Sequence, residues 1–274
     1  MIRAYCLESA QRFLLVKPAA LDLNPTVSLN TPFEAYRASD RWFDEFHGKN
    51  GVPRDAWRTI ASKLDELGQD GIRSRVSEAD RLVLESGANF RLSSDQKSRP
   101  WQLAIVPLVL EANDWSLIEA GVQQRVRLLE AVLNDFLGPQ RLIRDKVLPA
   151  SLLSENPEFE RTYHGLAPTG THRLHLTAVD LARDASGDWY VTGDRTRAPS
   201  GLGYALENRI LTSRVLPSLI RQSNVTRFAS FFSTLQEHFK SLAPRMRENP
   251  RVAILTPGQE SYRYIEDAYL ARYL

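Results

Sequence analysis

The sequence predicts a mixed α/β (α+β) fold, and three patterns carry that expectation. Apolar residues recur at helical spacing between Asp55 and Phe136. They switch to period-two alternation around residues 173–192. An apolar run, a turn and a further helical segment then follow at 251–274. With 274 residues, 43% hydrophobic and 25% charged, the chain can bury a sizeable core as one large or two small domains.

The elements follow in order. Residues 18–32 hold Pro18, Pro25 and Pro32 among Asn, Ser and Thr, which reads as extended loop within a loop-rich extension, 1–50. From Asp55, Ile60, Leu64 and Leu67 mark a helix that Gly68 ends. A second helix spans roughly 71–85, with Ile72, Val76, Ala79, Leu82 and Val83 inward and Gly87 as its stop. Phe90–Leu92 reads as a short strand, 93–100 as a polar loop, and Trp101–Pro107 as extended chain bracketed by prolines. The next helix starts at an Asn113 or Asp114 cap and carries Trp115, Ile118, Val122, Val126, Leu129, Val132, Leu133 and Phe136. Gly138-Pro139 stops it. Short helical pieces fill 140–160.

Arg173–Asp180 and Trp189–Thr192 read as a β-hairpin about the turn cluster Asp184–Asp188. Helices carrying Leu206, Ile210 and Leu211, then Phe228–Leu242, follow. Arg251–Thr256 reads as a fully apolar strand, and Tyr262–Tyr273 as a helix with Ile265, Tyr269 and Leu270 inward. The expected organisation is 1–50, 51–250 and 251–274, the last a first βα unit of a layer that needs parallel neighbours.

Charge and cysteine content narrow the function. Lys+Arg 35 against Asp+Glu 33 leaves +2, no footprint for nucleic acid or an acidic membrane. Cys6 reads as an idle thiol near a loose terminus. A lone cysteine excludes disulfides within the chain and fits a cytoplasmic location. Phe13–Val16 is too short for a signal peptide, and no run spans a bilayer.

The densest polar cluster lies on the hairpin and the loop after it. Asp180 and Asp194 have numbers of equal parity, so an even register puts both carboxylates on one face, where they would suit Mg²⁺. Arg195, Arg197 and Arg209 match phosphate or carboxylate. Ser200, Gly201 and Gly203 precede a helix whose N–H groups could meet an anion. The alternatives are surface turn residues for the aspartates and a simple cap for the glycines. The histidines show no metal-ligand spacing: His172 and His175 would point to opposite strand faces.

A series of short matches follows in order from about Trp42: Glu78-Ala-Asp-Arg81, Arg99-Pro-Trp101, Gly138-Pro-Gln-Arg141, Asn156-Pro157, Val179-Asp-Leu-Ala-Arg183, Trp189-Tyr-Val191, Ala198-Pro-Ser-Gly201, Leu206-Glu-Asn-Arg209, Leu255-Thr-Pro-Gly258 and Ala268-Tyr-Leu-Ala-Arg272. In these the sequence resembles the circularly permuted type 2 ATP-grasp family related to glutathionylspermidine synthase, and Gly193-Asp-Arg-Thr-Arg-Ala-Pro-Ser-Gly201 resembles its longer branch, whose members pair with or are fused to an α-helical alpha-E domain.

The resemblance implies an ATP-grasp-like hairpin-and-helix layer and an ATP- and Mg²⁺-dependent ligase that joins a small-molecule or peptide carboxylate to an amine through an acyl phosphate. Asp180 matches the first of the family's metal ligands; Asp180 and Asp194 stand as the metal candidates, Arg195, Ser200, Gly201 and Gly203 as the phosphate-contact candidates, and Arg197 and Arg209 as the catalytic candidates. The resemblance also implies a chain that continues beyond Leu274 to complete the nucleotide cleft. The family pattern is an Asp on the first strand and Glu-x-Asn on the second. Here Gly193 stands for the Glu and Arg195 for the Asn. Three readings stay open: Asp194 takes over as ligand, Arg195 replaces one cation's charge, or the domain binds nucleotide or peptide without ligating.

Overall fold

The computed structural model describes residues 2–6, 36, 41–48, 51–87, 89–90, 99–166, 172–243, 248–259, 261 and 263–274. The expected loop 18–32, the run Phe13–Val16 and residues 91–98 lie outside them. The chain is mixed α/β, helix-rich with a small antiparallel sheet. None of its described helices is long and apolar enough to cross a membrane.

Strand β1 (Ile2–Cys6) opens the chain. The expected loose terminus is instead an edge strand, because a partner lies 171 or more residues further along: Cys6 pairs with Thr177 and Ile2 with Leu181. Helix α1 (Asp55–Ser86) is two helical arms broken at Gly68, whose φ of 62° and ψ of 178° are not helical, and Gly87 closes it in the left-handed region. Both glycine stops fall where the sequence puts them. Trp57, Ile60, Ala61 and Leu64 bury the first arm; Ala79 and Val83 bury the second. Val76, expected inward, lies at the edge of that narrower stripe and is exposed.

Strands β2 (Asn89–Phe90) and β3 (Arg99–Pro100) form a two-residue ladder, so the end of the expected polar loop supplies a strand. Helix α2 (Ala112–Phe136) starts from Glu111, not from a side-chain cap at Asn113 or Asp114. Asp114 instead receives Arg183 Nη2 at 3.0 Å. Its stripe Trp115, Ile118, Val122 and Val126 packs on Val179 and Leu181 of the sheet. The next buried position is Glu130, which accepts the N–H groups of Arg173 and Leu174 at 2.8 and 2.9 Å. Helices α3 (Arg141–Arg144) and α4 (Ser151–Ser154) are the expected short pieces, and a 3₁₀ turn at 161–163 follows them.

The hairpin is β4 (Thr177–Arg183) and β5 (Trp189–Arg195), with sheet order β1-β4-β5. The ladder starts at 177, not 173, since Glu130 already holds the backbone of 173–174. His172 and His175 therefore precede the strand. The turn is held by Asp184 Oδ1, which accepts the N–H groups of Ser186, Gly187 and Asp188, each at 2.9 Å.

Helix α5 (Leu202–Val215) is buried on several sides. Around it lie α6 (Pro217–Gln222), α7 (Ala229–Ser241) and α8 (Tyr264–Tyr273). Leu202 and Leu206 join Phe231, Phe232 and Leu235 of α7; Leu211 meets Val83 of α1; Val215, Leu216 and Leu219 join the first arm of α1. Residues 251–256, expected as a strand, form no ladder, and Leu255 is fully exposed. A strand needs a neighbour, and none of the described strands lies beside this run. The buried residues of α8 are Glu266 and Asp267; of the residues expected inward, Leu270 packs on the cluster of Leu202, Phe231 and Phe232, and Ile265 and Tyr269 are half-buried.

Candidate functional site

Two carboxylates expected side by side are separated by a β-bulge. Asp180 stands opposite Gly193 and Val179 opposite Asp194, yet Leu181 stands opposite Val191, so Thr192 is the extra residue. Below the bulge the register is even. Above it the register shifts by one, and each following β5 side chain changes face. Asp194 consequently lies on the face of Val179, toward α2, where Arg125 grips it bidentately: Nε to Oδ1 at 2.6 Å and Nη2 to Oδ2 at 2.7 Å. That contact raises the Arg125 guanidinium pKa, chiefly through the hydrogen bond.

Asp180, Gly193 and Arg195 share the other face. Asp180 is 2% exposed, and Arg195 Nε donates to its Oδ2 at 2.9 Å. A Cβ on Gly193 would sit 3.6 Å from that same oxygen. The residues present do not fit a Mg²⁺ shared by Asp180 and Asp194: they face apart, and each already holds a guanidinium. Among the described residues no group of three His, Cys, Asp or Glu side chains is arranged around a metal position. His175 Nδ1 and His238 Nε2 do approach to 3.2 Å, as a pair.

Arg125 is 41% exposed at its side chain, so solvent screens the pair. A double-mutant cycle of Arg125→Ala and Asp194→Ala, read by urea unfolding, is expected to return about 1 kcal/mol of coupling. A value near zero would remove this pair as the clamp between α2 and the hairpin.

The start of α5 does receive an anion, and the anion is a side chain. Gly201 N–H lies 2.5 and 2.6 Å from the two carboxylate oxygens of Glu266, and the N–H groups of Leu202 and Gly203 also act on it. Gly201 has φ 121°, which only glycine adopts freely. Gly203 lets α8 approach: a Cβ there would lie 3.1 Å from Glu266 Cα and 3.2 Å from Tyr269 Cβ. Burial raises the Glu266 pKa, while the three N–H groups and Arg263 oppose that rise. One turn on, Tyr269 Oη donates to the buried Glu207, and burial followed by that bond pushes the phenol upward. The expected phosphate positions Gly201 and Gly203 are thus filled by α8, with the half-buried Ser200 just ahead of them. Arg197 lies apart, in an exposed pair with Glu158 at 2.5 Å.

Arg209 belongs to a different place. It lines a cavity of about 570 Å³ together with Asn208 and Thr212 of α5, residues 102–104 and 106–111, the start of α1, and α6. Its guanidinium stacks on the Phe228 ring at 4.7 Å, and burial lowers its pKa. Trp101 Nε1 donates to Asn208 Oδ1 at 2.6 Å and stacks on Tyr204 at 4.3 Å. The sequence reading missed this cavity. The signal available was Leu206-Glu-Asn-Arg209: on a helix, Glu207 and Asn208-Arg209 project to different sides.

This combination defines a helix-rich α/β protein in which a short antiparallel hairpin and the helix after it carry the motif residues. Residues 107–274, more than half of the chain, match the sequence profile of circularly permuted ATP-grasp type 2, and the chain belongs to that family. An uncharacterized protein of Mycobacterium tuberculosis is 34% identical over 243 residues, 88% of this chain and 44% of the relative. One of Mycobacterium leprae is likewise 34% identical over 243 residues, 88% of this chain and 43% of the relative. A Frankia alni protein named "Putative glutamate--cysteine ligase 2-3" is 32% identical over 259 residues, 92% of this chain and 30% of the relative. The chain thus spans less than half the length of these curated relatives.

Proposed function

We propose that this chain is part of the machinery of an ATP-dependent carboxylate–amine ligase, with Arg195 supplying on the Asp180 face the positive charge that a metal supplies elsewhere in the family. In that reaction class a carboxylate oxygen attacks the γ-phosphorus of ATP and ADP leaves. An amine then attacks the acyl-phosphate carbon, phosphate leaves with the bonding pair, and the amine gives up a proton. The observation that carries the proposal is the shared face of Asp180, Gly193 and Arg195: the three motif positions converge, with a guanidinium beside the buried carboxylate. Substrates of this class are small-molecule or peptide carboxylates and amines, with ATP and Mg²⁺ as the family's cofactors.

The test is calorimetric titration of the chain with ATP, in Mg²⁺ and in chelator. Affinity is expected to change less than about threefold between the two, because Arg195 is covalently present. Gly193→Glu with Arg195→Asn restores the family pattern and is expected to make binding about tenfold tighter with Mg²⁺ than without. Strong Mg²⁺ dependence in the unaltered chain would overturn the assignment to Arg195.

A second reading is a non-catalytic nucleotide- or peptide-binding module that acts with an alpha-E partner. The arginine-neutralised aspartates and the Glu266-filled α5 terminus favour it. Sustained ADP formation from ATP, with the standard amino acids as source of both carboxylate and amine, would exclude it.

A further inference from the structure

We propose that the cavity beside α5 is a binding site for a small zwitterion with an apolar body, an aromatic or branched amino acid, its carboxylate held by Arg209. This stands on the cavity itself and not on the ligase reading.

Arg209 is half-buried and lines the cavity, yet its guanidinium has no hydrogen-bonding or ionic partner among the described residues and rests on the Phe228 ring. A guanidinium carries five donors in a planar fork and keeps its charge. Taking it partly out of water without a counter-ion is costly. The cavity leaves room for one from outside, and a carboxylate matches the fork bidentately.

Two further polar groups wait in the same space. Ser223 Oγ is buried without a hydrogen-bond partner among the described residues. Asn208 spends its carbonyl oxygen on Trp101, which leaves its amide N–H groups to donate. Both can donate to the oxygens of a bound acid. The cavity also carries carboxylates. Asp55 is engaged by Arg58 at 2.7 Å, whereas Glu111, half-buried, has no ion pair among the described residues. A site with an unpaired cation and an unpaired carboxylate repels a simple dianion and accepts a molecule that bears both signs. The walls between are apolar: Ile60, Leu219, Ile220 and Val225. A volume of about 570 Å³ is within the range of pockets that enclose small ligands.

The experiment is calorimetric titration of the full chain with three probes: L-phenylalanine, L-phenylalaninamide, which lacks the carboxylate, and 3-phenylpropanoate, which lacks the ammonium. L-phenylalanine is expected to saturate the chain, with each of the others at least about tenfold weaker. Arg209→Gln should lower affinity for L-phenylalanine about tenfold and leave the amide unchanged, and Arg209→Lys should fall between, since it keeps charge without the fork. The probe series needs no variant, so misfolding of either substitution leaves the test intact. Equal binding of acid and amide by the unaltered chain overturns the proposal, as does failure of L-phenylalanine to bind below about 10 mM.

Discussion

Glu266→Ala is expected to destabilise the chain by about 3 kcal/mol, and sulfate is expected to restore part of the loss. The Glu266 side chain is 1% exposed and accepts N–H groups at the start of α5. Truncation leaves those donors buried beside α8 without an acceptor, and each orphaned donor costs about 1–3 kcal/mol. The vacated position is then a helix N-terminus open to an anion. Sulfate should raise the melting temperature of Glu266→Ala by more than that of the unaltered chain, a comparison that removes the general salt effect. Equal shifts would mean that the terminus does not open.

The same residue sets a pH dependence. Burial raises the Glu266 pKa above its ordinary 4.5, so the folded state holds that proton more tightly than the unfolded one. The resulting contribution is fully present below pH 4.5 and is lost as pH rises through the folded value. In urea unfolding, the unaltered chain should therefore gain stability relative to Glu266→Gln between pH 7 and pH 5. A relative loss over that interval would contradict the burial argument.

What the sequence made legible was local. The Gly68 break, the Gly87 stop, the apolar stripe of α2 and the Asp184 turn depend on residues within a few positions of one another, and the structure has each of them. What it hid was pairing at a distance. β1 is a strand because β4 lies beside it, and 251–256 is not one because none of the described strands does. The site divides the same way. The density of Asp and Arg between 180 and 209 was visible. Its wiring was not, since Arg125 reaches Asp194 across 69 positions and Glu266 reaches Gly201 across 65. The equal parity of Asp180 and Asp194 misled for one physical reason: a single extra residue in β5 reverses the face, and a bulge is decided by the partner strand.

Leu219→Ala is expected to cost about 3 kcal/mol. Leu219 is 1% exposed, packs with Trp57, Ile60, Leu64, Val215 and Leu216, and also forms part of the cavity wall. Its helix, α6, has six residues, too few to hold itself in water. The loss of this anchor therefore falls on the packing of α6 against α1, and a urea-derived change below about 1 kcal/mol would show that α6 is held by something else. Leu152→Ala, at a 45% exposed side chain, should stay within about 0.5 kcal/mol and serves as the comparison. The variant also separates wall from anchor in the cavity. Space vacated by Leu219 joins an existing cavity, so L-phenylalanine should bind more weakly for lack of apolar contact. Its preference over L-phenylalaninamide depends on the Arg209 fork and should persist. Loss of that preference together with affinity would place the carboxylate against the α6 side of the cavity and not on Arg209.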